Sequence, residues 1–142
     1  MKIALASDHA GFELKEKVKK YLNNKGYQVT DLGSFSSDSS DYPDFAHPLA
    51  RGVEQKIYDV GISMCGSGNG INMAANKHQG IRSALCWQTD IARLARQHND
   101  ANICALPARF IDEEKAKEII DIFLTTKFEG GRHKKRIEKI PI

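Results

Sequence analysis

The order of apolar and amphipathic segments is the feature that most restricts the fold of this chain. Five short apolar runs alternate with longer stretches that have helical periodicity, and the runs cover residues 2–7, 27–32, 60–64, 81–86 and 103–106. Short apolar runs of this kind are typical of strands buried on both faces, as in parallel sheets. Because parallel strands need crossover connections, we predict an α/β fold with a five-stranded parallel sheet covered by helices on both faces.

The amphipathic stretches supply the predicted helices, at residues 11–25, 43–55, 89–98 and 112–125. A further helix is predicted to begin near Ile71, and a glycine pair precedes a short, basic helical tail at 130–142. The chain has no internal repeat and no low-complexity tract, so residues 1–142 are predicted to form one domain. In such sheets, ligands bind beyond the carboxyl ends of the strands, near the point where the strand order reverses.

The net charge of +3 is concentrated in the tail. Residues 132–139 contain five basic residues and one acidic residue, so this segment is more positive than the chain as a whole. The rest of the chain is close to neutral, whereas nucleic-acid binders usually spread lysine and arginine over a whole face. We therefore expect no nucleic-acid partner.

Membrane insertion and disulfide bonding are both disfavoured. The apolar runs are far shorter than the ~20 residues that span a bilayer, and the chain reaches Asp8 too soon for a secretory signal. Three cysteines, at 65, 86 and 104, are odd in number and lack C-x-x-C spacing, which argues against a disulfide framework or a zinc knuckle. We expect a cytoplasmic protein with reduced thiols and no membrane partner.

The most informative segment is the loop 65–70, Cys-Gly-Ser-Gly-Asn-Gly, between a predicted strand and a predicted helix. Its three glycines allow backbone N–H groups to turn inward and cradle an anion. A Walker loop would end in Gly-Lys-Ser/Thr, and a dinucleotide loop would need its third glycine where this chain has Ile71. The loop is either an anion site without a nucleotide signature or a tight structural turn.

Cys65 and the pair Asp8-His9 end two predicted strands and so lie at the same sheet edge. A thiol that faces a helix N-terminus ionises more readily than a free cysteine, which makes Cys65 a candidate for chemistry. The alternative is a small buried apolar residue, which is our interpretation of Cys86 and Cys104. Asp8 and His9 together indicate binding of hydroxyl groups or phosphate, and the alternative is a cap or a solvated pair.

Arg132 and Arg136 are spaced i and i+4, so they share one face of the predicted tail helix. Arginine can bind phosphate oxygens with two parallel hydrogen bonds. A nucleic-acid-binding tail, to which Lys134 and Lys135 would contribute, is the competing interpretation, but the tail is short and lacks interleaved aromatic residues. A disordered, solubilising tail is a further alternative.

Taken together, these motifs resemble those of the type B ribose-5-phosphate isomerases. The matching segments are ASDHAG at 6–11, DYP at 41–43, CGSGNG at 65–70, AANK at 74–77, RQHND at 96–100 and GGRH at 130–133. The likeness runs from Met1 to about Ile140. The family also contains allose-6-phosphate and galactose-6-phosphate isomerases, so a six-carbon substrate is the alternative to ribose 5-phosphate.

The resemblance implies a Rossmann-like αβα sandwich of three layers and an aldose–ketose isomerase that uses neither metal nor cofactor. It implies a homodimer or a dimer of dimers with shared active sites, in which the tail 130–142 packs on a neighbouring subunit. The reaction would interconvert ribose 5-phosphate and ribulose 5-phosphate through an enediolate. The alternative from another class is a non-catalytic phosphate- or nucleotide-sensing domain in which Cys65 is inert.

Catalytic roles follow from the same resemblance. Cys65 would be the base that moves a proton between carbons 1 and 2 of the open-chain sugar, and His98 would open the sugar ring with Asp8 as its partner. Some relatives instead have serine at the cysteine position and a glutamate base where this chain has Ile71. Ser67, which replaces the threonine of many members, would stabilise the enediolate together with the loop amides.

The resemblance also implies the substrate-binding residues. Those in the loop are Gly66, Gly68, Asn69 and Gly70. Tyr42 and Asn99 would contact the sugar. The phosphate would be held by His9, Arg109, Arg132 and Arg136. Of all these groups, His98, Asn99 and Arg109 would face the loop of a neighbouring chain.

Overall fold

The computed structural model describes residues 1–142 and contains the predicted five-stranded parallel sheet. Its strands are β1 (Lys2–Ser7), β2 (Gln28–Asp31), β3 (Val60–Cys65), β4 (Ser83–Leu85) and β5 (Ile103–Pro107), in the spatial order β2-β1-β3-β5-β4. The helices are α1 (Phe12–Asn24), α2 (Pro43–Glu54), α3 (Asn69–Ala75), α4 (Thr89–Asn99), α5 (Glu113–Thr125) and the one-turn α6 (Lys134–Ile137). The α/β prediction is confirmed. None of the helices is long and apolar enough to cross a membrane.

Two boundaries differ from the prediction for local reasons. β4 was predicted over 81–86 but begins only at Ser83, because the N–H of Ile81 donates to His78 in a turn and the N–H of Arg82 donates to the side chain of Asn102. Helix α3 begins two residues before Ile71, directly after Gly68, whose φ of 76° sets the turn.

Helices cover both faces of the sheet, which gives three layers. Helices α1, α4 and α5 pack on one face, and α2 and α3 pack on the other. The sheet contributes to both layers because successive residues of a strand point to opposite faces. In β1, for example, Ile3 and Leu5 join the first layer, whereas Ala4 and Ala6 join the second.

The strand order reverses between β1 and β3. From β1 the chain passes through α1 to β2 on one side, and from β3 it passes through α3 to β4 on the other side. Helices α1 and α3 therefore leave the sheet edge towards opposite faces, which opens a crevice between them. Ser7 pairs with Met64, so Asp8 and Cys65 occupy the next equivalent positions at that edge.

A buried ion cluster joins α1 to the end of β2. Lys15 is fully buried on α1, where its ammonium lies 2.7 Å from Asp31 and 2.9 Å from Glu16. Lys19 adds a second contact to Asp31 at 2.8 Å. Burial by itself would raise the pKa of Asp31, but hydrogen bonds from Lys15, Lys19 and the N–H of Gly33 bring the net pKa below its ordinary value.

We expect Asp31→Asn to lower the free energy of unfolding at neutral pH by about 3 kcal/mol, because it leaves the buried Lys15 without its closest partner. The folded-state pKa of Asp31 is lowered, so its contribution is present above the ordinary pKa of 3.8 and is lost as the pH falls through the folded value. The wild-type advantage should therefore shrink in acid, as measured by urea unfolding across pH.

Asp90→Asn is the matched control, since it removes a carboxylate whose ion pair with Arg93 is solvent-exposed. Its effect should stay below about 1 kcal/mol at every pH. Equal losses for the two variants would contradict the role assigned to the buried cluster.

Candidate active site

A cleft of about 390 Å³ opens at the crevice between β1 and β3, a volume within the usual range of small-molecule sites. It is lined by Asp8, His9, Ala10, Tyr42, Cys65, Gly66, Ser67, Gly70, Arg109 and Phe110. Eight of these ten residues were predicted from the sequence. Ala10 and Phe110 were missed, although the positions of these residues after β1 and β5 place both at the same sheet edge as the others.

Cys65 is the last residue of β3, and its side chain points to the layer of α2 and α3. It packs with Ala46, Ile71 and Ala105, and only 5% of the residue is exposed. Cys65 also lines the cleft, so a residue packed among apolar side chains borders the space that a ligand would fill. Ile71 is fully buried in the same cluster, at the position where some relatives are expected to carry a glutamate base.

The loop after Cys65 presents free backbone donors. The N–H groups of Gly66, Ser67, Gly68 and Gly70 have no acceptor within the chain. The N–H of Asn69 is used internally, because it donates to Ser67 Oγ at 3.2 Å. The Ser67 hydroxyl keeps its own proton available for donation.

Gly68 is buried and does not line the cleft; it shapes the loop instead. Its φ is positive, and a Cβ there would lie 2.4 Å from the side chain of Leu85 and 3.1 Å from the backbone of Leu106. Only glycine satisfies both the conformation and the space.

Asp8 and His9 are held by the turn that follows β1. Asp8 Oδ1 accepts hydrogen bonds from the N–H groups of Ala10 and Gly11, at 2.9 and 3.2 Å. The cap that the sequence offered as an alternative is therefore present, and Asp8 lines the cleft as well. His9 is half-buried and bonds to Ser40 in the loop before α2.

Arg109 lies beside the loop of its own chain. A Cβ on Gly66 would be 3.2 Å from a terminal nitrogen of the Arg109 guanidinium, and Arg109 forms none of the ion pairs in the chain. The expectation that Arg109 faces a neighbouring chain's loop was therefore wrong for the position of this side chain. An unpaired guanidinium beside unpaired amides makes the cleft attractive to anions.

Four other predicted residues lie away from this cleft. Helix α4 runs antiparallel to the strands, so His98 and Asn99 at its end lie at the opposite edge of the sheet. At roughly 3.3 Å per residue, the five residues of β5 separate the two edges by roughly 15 Å. Within one chain, His98 therefore does not contact Asp8, so the expected pairing of these two residues requires a second chain.

The tail is anchored at this second edge. His133 stacks on His98, with ring centroids 4.2 Å apart and an interplanar angle of 14°. Arg132 and Arg136 flank this contact in sequence and form no ion pairs. Burial lowers the pKa of His133 below 6.5. The nearby positive charges of His98, Arg132 and Arg136 lower this pKa further, whereas the carboxylate of Glu129 opposes the shift. A neutral His133 can stack on His98 without charge repulsion.

His98, Glu129 and His133 are the only three metal-ligating side chains that come together, with ligand atoms within 4.8 Å of one another. A metal ion lies in the plane of each imidazole that binds it. The two rings here are nearly parallel and stacked, so their nitrogen lone pairs do not converge on one point. The cluster would have to rearrange before it could hold an ion.

The fold and the cleft define a Rossmann-like α/β protein with a small-molecule site at its topological switch point. The sequence profile of the Ribose/Galactose Isomerase family matches residues 3–140, and the chain belongs to this family. The resemblance deduced from the sequence motifs is confirmed.

Individual relatives agree with this assignment. The chain is 45% identical to ribose-5-phosphate isomerase B of Escherichia coli, over 98% of this chain and 93% of that protein. A ribose 5-phosphate isomerase crystal structure from Thermotoga maritima matches with a TM-score of 0.98 and 55% identity, covering 99% of this chain and 97% of that one. A third match is the crystal structure of ribose-5-phosphate isomerase B from Mycoplasma genitalium with bound ribulose-5-phosphate. Its TM-score is 0.94 and its identity is 44%, and the match covers 98% of this chain and 93% of that one.

The ring of Tyr42 packs directly against Gly70, since a Cβ at this glycine would lie 2.6 Å from Tyr42 Cζ. We expect Gly70→Ala to cost about 1 kcal/mol or more in the wild-type background, through overpacking against the ring. In a Tyr42→Ala background the same change should be neutral or stabilising, because alanine favours the helix and the obstacle is gone. A double-mutant cycle by urea unfolding measures the coupling. The same loss in both backgrounds would contradict this contact.

Proposed function

We propose that the protein interconverts ribose 5-phosphate and ribulose 5-phosphate through an enediolate, without a metal or cofactor. The observation that carries the proposal is the cleft, which is lined by Cys65, by loop residues whose backbone amides are unpaired and by the unpaired Arg109. An aldose–ketose isomerase needs a base for a C–H proton, donors for the resulting oxyanion and a cation for the phosphate. The relatives carry the names of ribose-5-phosphate isomerases, which favours this substrate.

In the proposed reaction, the Cys65 thiolate removes the proton from carbon 2 of the open-chain aldose. The electron pair of the C–H bond forms the C1–C2 double bond, and the carbonyl electrons move to the oxygen on carbon 1. The abstracted proton then returns to carbon 1. The hydroxyl proton moves from the oxygen on carbon 2 to the oxygen on carbon 1, which completes the ketose. The low exposure of Cys65 keeps water away from this exchange.

The oxyanion of the enediolate would be stabilised by the loop. Gly66, Ser67 and Gly70 line the cleft and their N–H groups have no acceptor within the chain, and the Ser67 hydroxyl can donate in addition. A single donor to a developing oxyanion is typically worth roughly 3 kcal/mol in a site of this kind. Tyr42, which lines the same cleft, would contact the sugar.

We further propose that the working enzyme is a homodimer, or a dimer of dimers, in which two chains share each site. His98 and Asn99 lie at the edge of the sheet opposite Cys65, so they can reach a cleft only if it belongs to another chain. In the shared site, His98 would open the sugar ring beside Asp8 of the other chain. The tail 130–142 would pack on the neighbouring subunit and bring Arg132 and Arg136 to the phosphate, which His9 and Arg109 hold from the other side.

Three cysteines that are all free and buried suit a reducing compartment, and we propose that the protein is cytoplasmic.

We expect purified protein to convert ribose 5-phosphate to ribulose 5-phosphate in the presence of a chelator, as followed by ketose formation. Cys65→Ala should lower kcat by about 10²–10⁴-fold, the usual contribution of a general base. Cys86→Ala, which changes a cysteine buried outside the cleft, should retain near wild-type turnover. Full turnover by Cys65→Ala would contradict the mechanism. Tight binding of a sugar phosphate without turnover would favour the sensing domain.

The same assay with allose 6-phosphate and galactose 6-phosphate separates the five-carbon from the six-carbon alternative. We expect the highest kcat/KM with ribose 5-phosphate. A higher value with either six-carbon sugar would reassign the substrate and leave the proton-transfer chemistry in place.

A shared site predicts complementation between two inactive variants. Cys65→Ala and His98→Ala should each be inactive as homodimers, but subunit exchange produces mixed dimers in which one of the two sites is intact. An equimolar mixture should then recover roughly a quarter of the wild-type activity, since half of the dimers are mixed. Activity is measured before and after exchange. No recovery, in a mixture that native mass spectrometry shows to contain mixed dimers, would rule out the shared site.

A further inference from the structure

His9 makes an unusually specific set of contacts with one residue, Ser40. The backbone N–H of His9 donates to Ser40 Oγ at 3.1 Å. The backbone N–H of Ser40 points at His9 Nδ1 at 3.2 Å, and the carbonyl oxygen of Ser40 lies 3.3 Å from the same nitrogen. No part of the proposed mechanism uses Ser40.

The contact with the Ser40 N–H decides which ring nitrogen of His9 carries the proton. A backbone N–H can only donate, so Nδ1 must offer its lone pair to accept the bond. A proton on Nδ1 would instead bring two hydrogens together. The neutral imidazole therefore carries its proton on Nε2, the nitrogen on the side of the ring away from Ser40.

We propose that Ser40 is a positioning residue that holds His9 in the Nε2–H tautomer, so that this N–H donates to an anionic oxygen of the ligand. The role of the donor rests on the proposed function, since His9 lines the cleft with Cys65 and Arg109. The tautomer itself depends only on the contacts between the two residues. In this arrangement, His9 contributes a directed hydrogen bond, and Arg109 contributes the positive charge.

Ser40 lies in the segment 33–44, and hydrogen bonds hold this segment at both ends. At its start, Ser7 exchanges two backbone hydrogen bonds, both 2.7 Å long, with Gly33 and Ser34. The N–H of Gly33 also donates to Asp31 of the buried ion cluster, at 3.0 Å. At its end, the N–H of Asp44 donates to the C=O of Asp41 as α2 begins. The segment therefore presents the Ser40 N–H from a backbone that is anchored on both sides.

The direct test is the protonation pattern of His9 in the full-length protein near neutral pH. Long-range ¹H–¹⁵N correlation spectra distinguish the two neutral tautomers, and a His9→Gln spectrum assigns the His9 signals among the five histidines. We expect the Nε2–H pattern in the wild type without substrate. The Nδ1–H pattern, which would mean that the ring donates to the Ser40 carbonyl, or an even mixture of the two, would overturn the proposal.

Side-chain replacements at His9 test which nitrogen donates. Glutamine places its amide nitrogen near the position of histidine Nε2, whereas asparagine places it near Nδ1. We expect kcat/KM for ribose 5-phosphate to be about tenfold or more higher for His9→Gln than for His9→Asn, the usual effect of one hydrogen bond to a charged group. Equal losses would overturn the donor role.

Replacements at Ser40 separate positioning from general support of the fold. Ser40→Ala keeps the backbone N–H, so this variant should preserve the Nε2–H tautomer of His9. Ser40→Thr keeps both the N–H and an Oγ, so its KM should stay near the wild-type value. Ser40→Pro removes the N–H and should mix the tautomers and raise KM more than it lowers kcat. If Ser40→Pro does not fold, the wild-type spectrum alone decides the tautomer. A wild-type protein that shows the Nε2–H pattern but no turnover would overturn the proposed function and leave the role of Ser40 standing.

Discussion

The pairing of β1 with β3 is the constraint on which the site depends. It places the ends of both strands side by side, and the two following helices leave to opposite faces. The approach is close, since a Cβ on Gly11 would lie 2.5 Å from the carbonyl oxygen of Met64. Glycine at this position allows the turn that carries Asp8 and His9 to pack directly against the strand that ends in Cys65. The cleft is thus a consequence of sheet order and backbone contact.

Some cations of this chain form ion pairs within it, and others do not. The most deeply buried cation, Lys15, is balanced by Asp31 and Glu16, so it stabilises the junction of α1 and β2. Arg109 in the cleft and Arg132 on the tail form no ion pair. An anion bound in the cleft would lie beside the Arg109 guanidinium and supply it with a partner. In the shared site that we propose, the arginines of the tail would bind the same phosphate as Arg109, so the positive charge of the tail would serve a single anion and not a polyanion.

Much of this architecture could be predicted because it depends on local patterns. Strand and helix order follow from hydrophobic periodicity, and the loop 65–70 follows from its glycines. Lys15 could not be predicted as a buried residue, since its burial requires Asp31 from a strand formed later in the chain. The role of Gly70 was also hidden, because the ring of Tyr42 that occupies its missing Cβ position comes from a distant segment. The stack of His133 on His98 joins two elements that only the packing of the tail brings together.

Residue types at fixed spacing along the chain were enough to predict the fold class, the family and most of the residues that line the cleft. How those residues are grouped follows only from the folded chain. It places Arg109 beside the loop of its own chain, and it places His98 and Asn99 at the opposite sheet edge, because a helix that connects parallel strands must run back antiparallel to them. The grouping of these residues depends on the directions in which the chain segments run in space. The spacing of motifs along the sequence does not specify those directions.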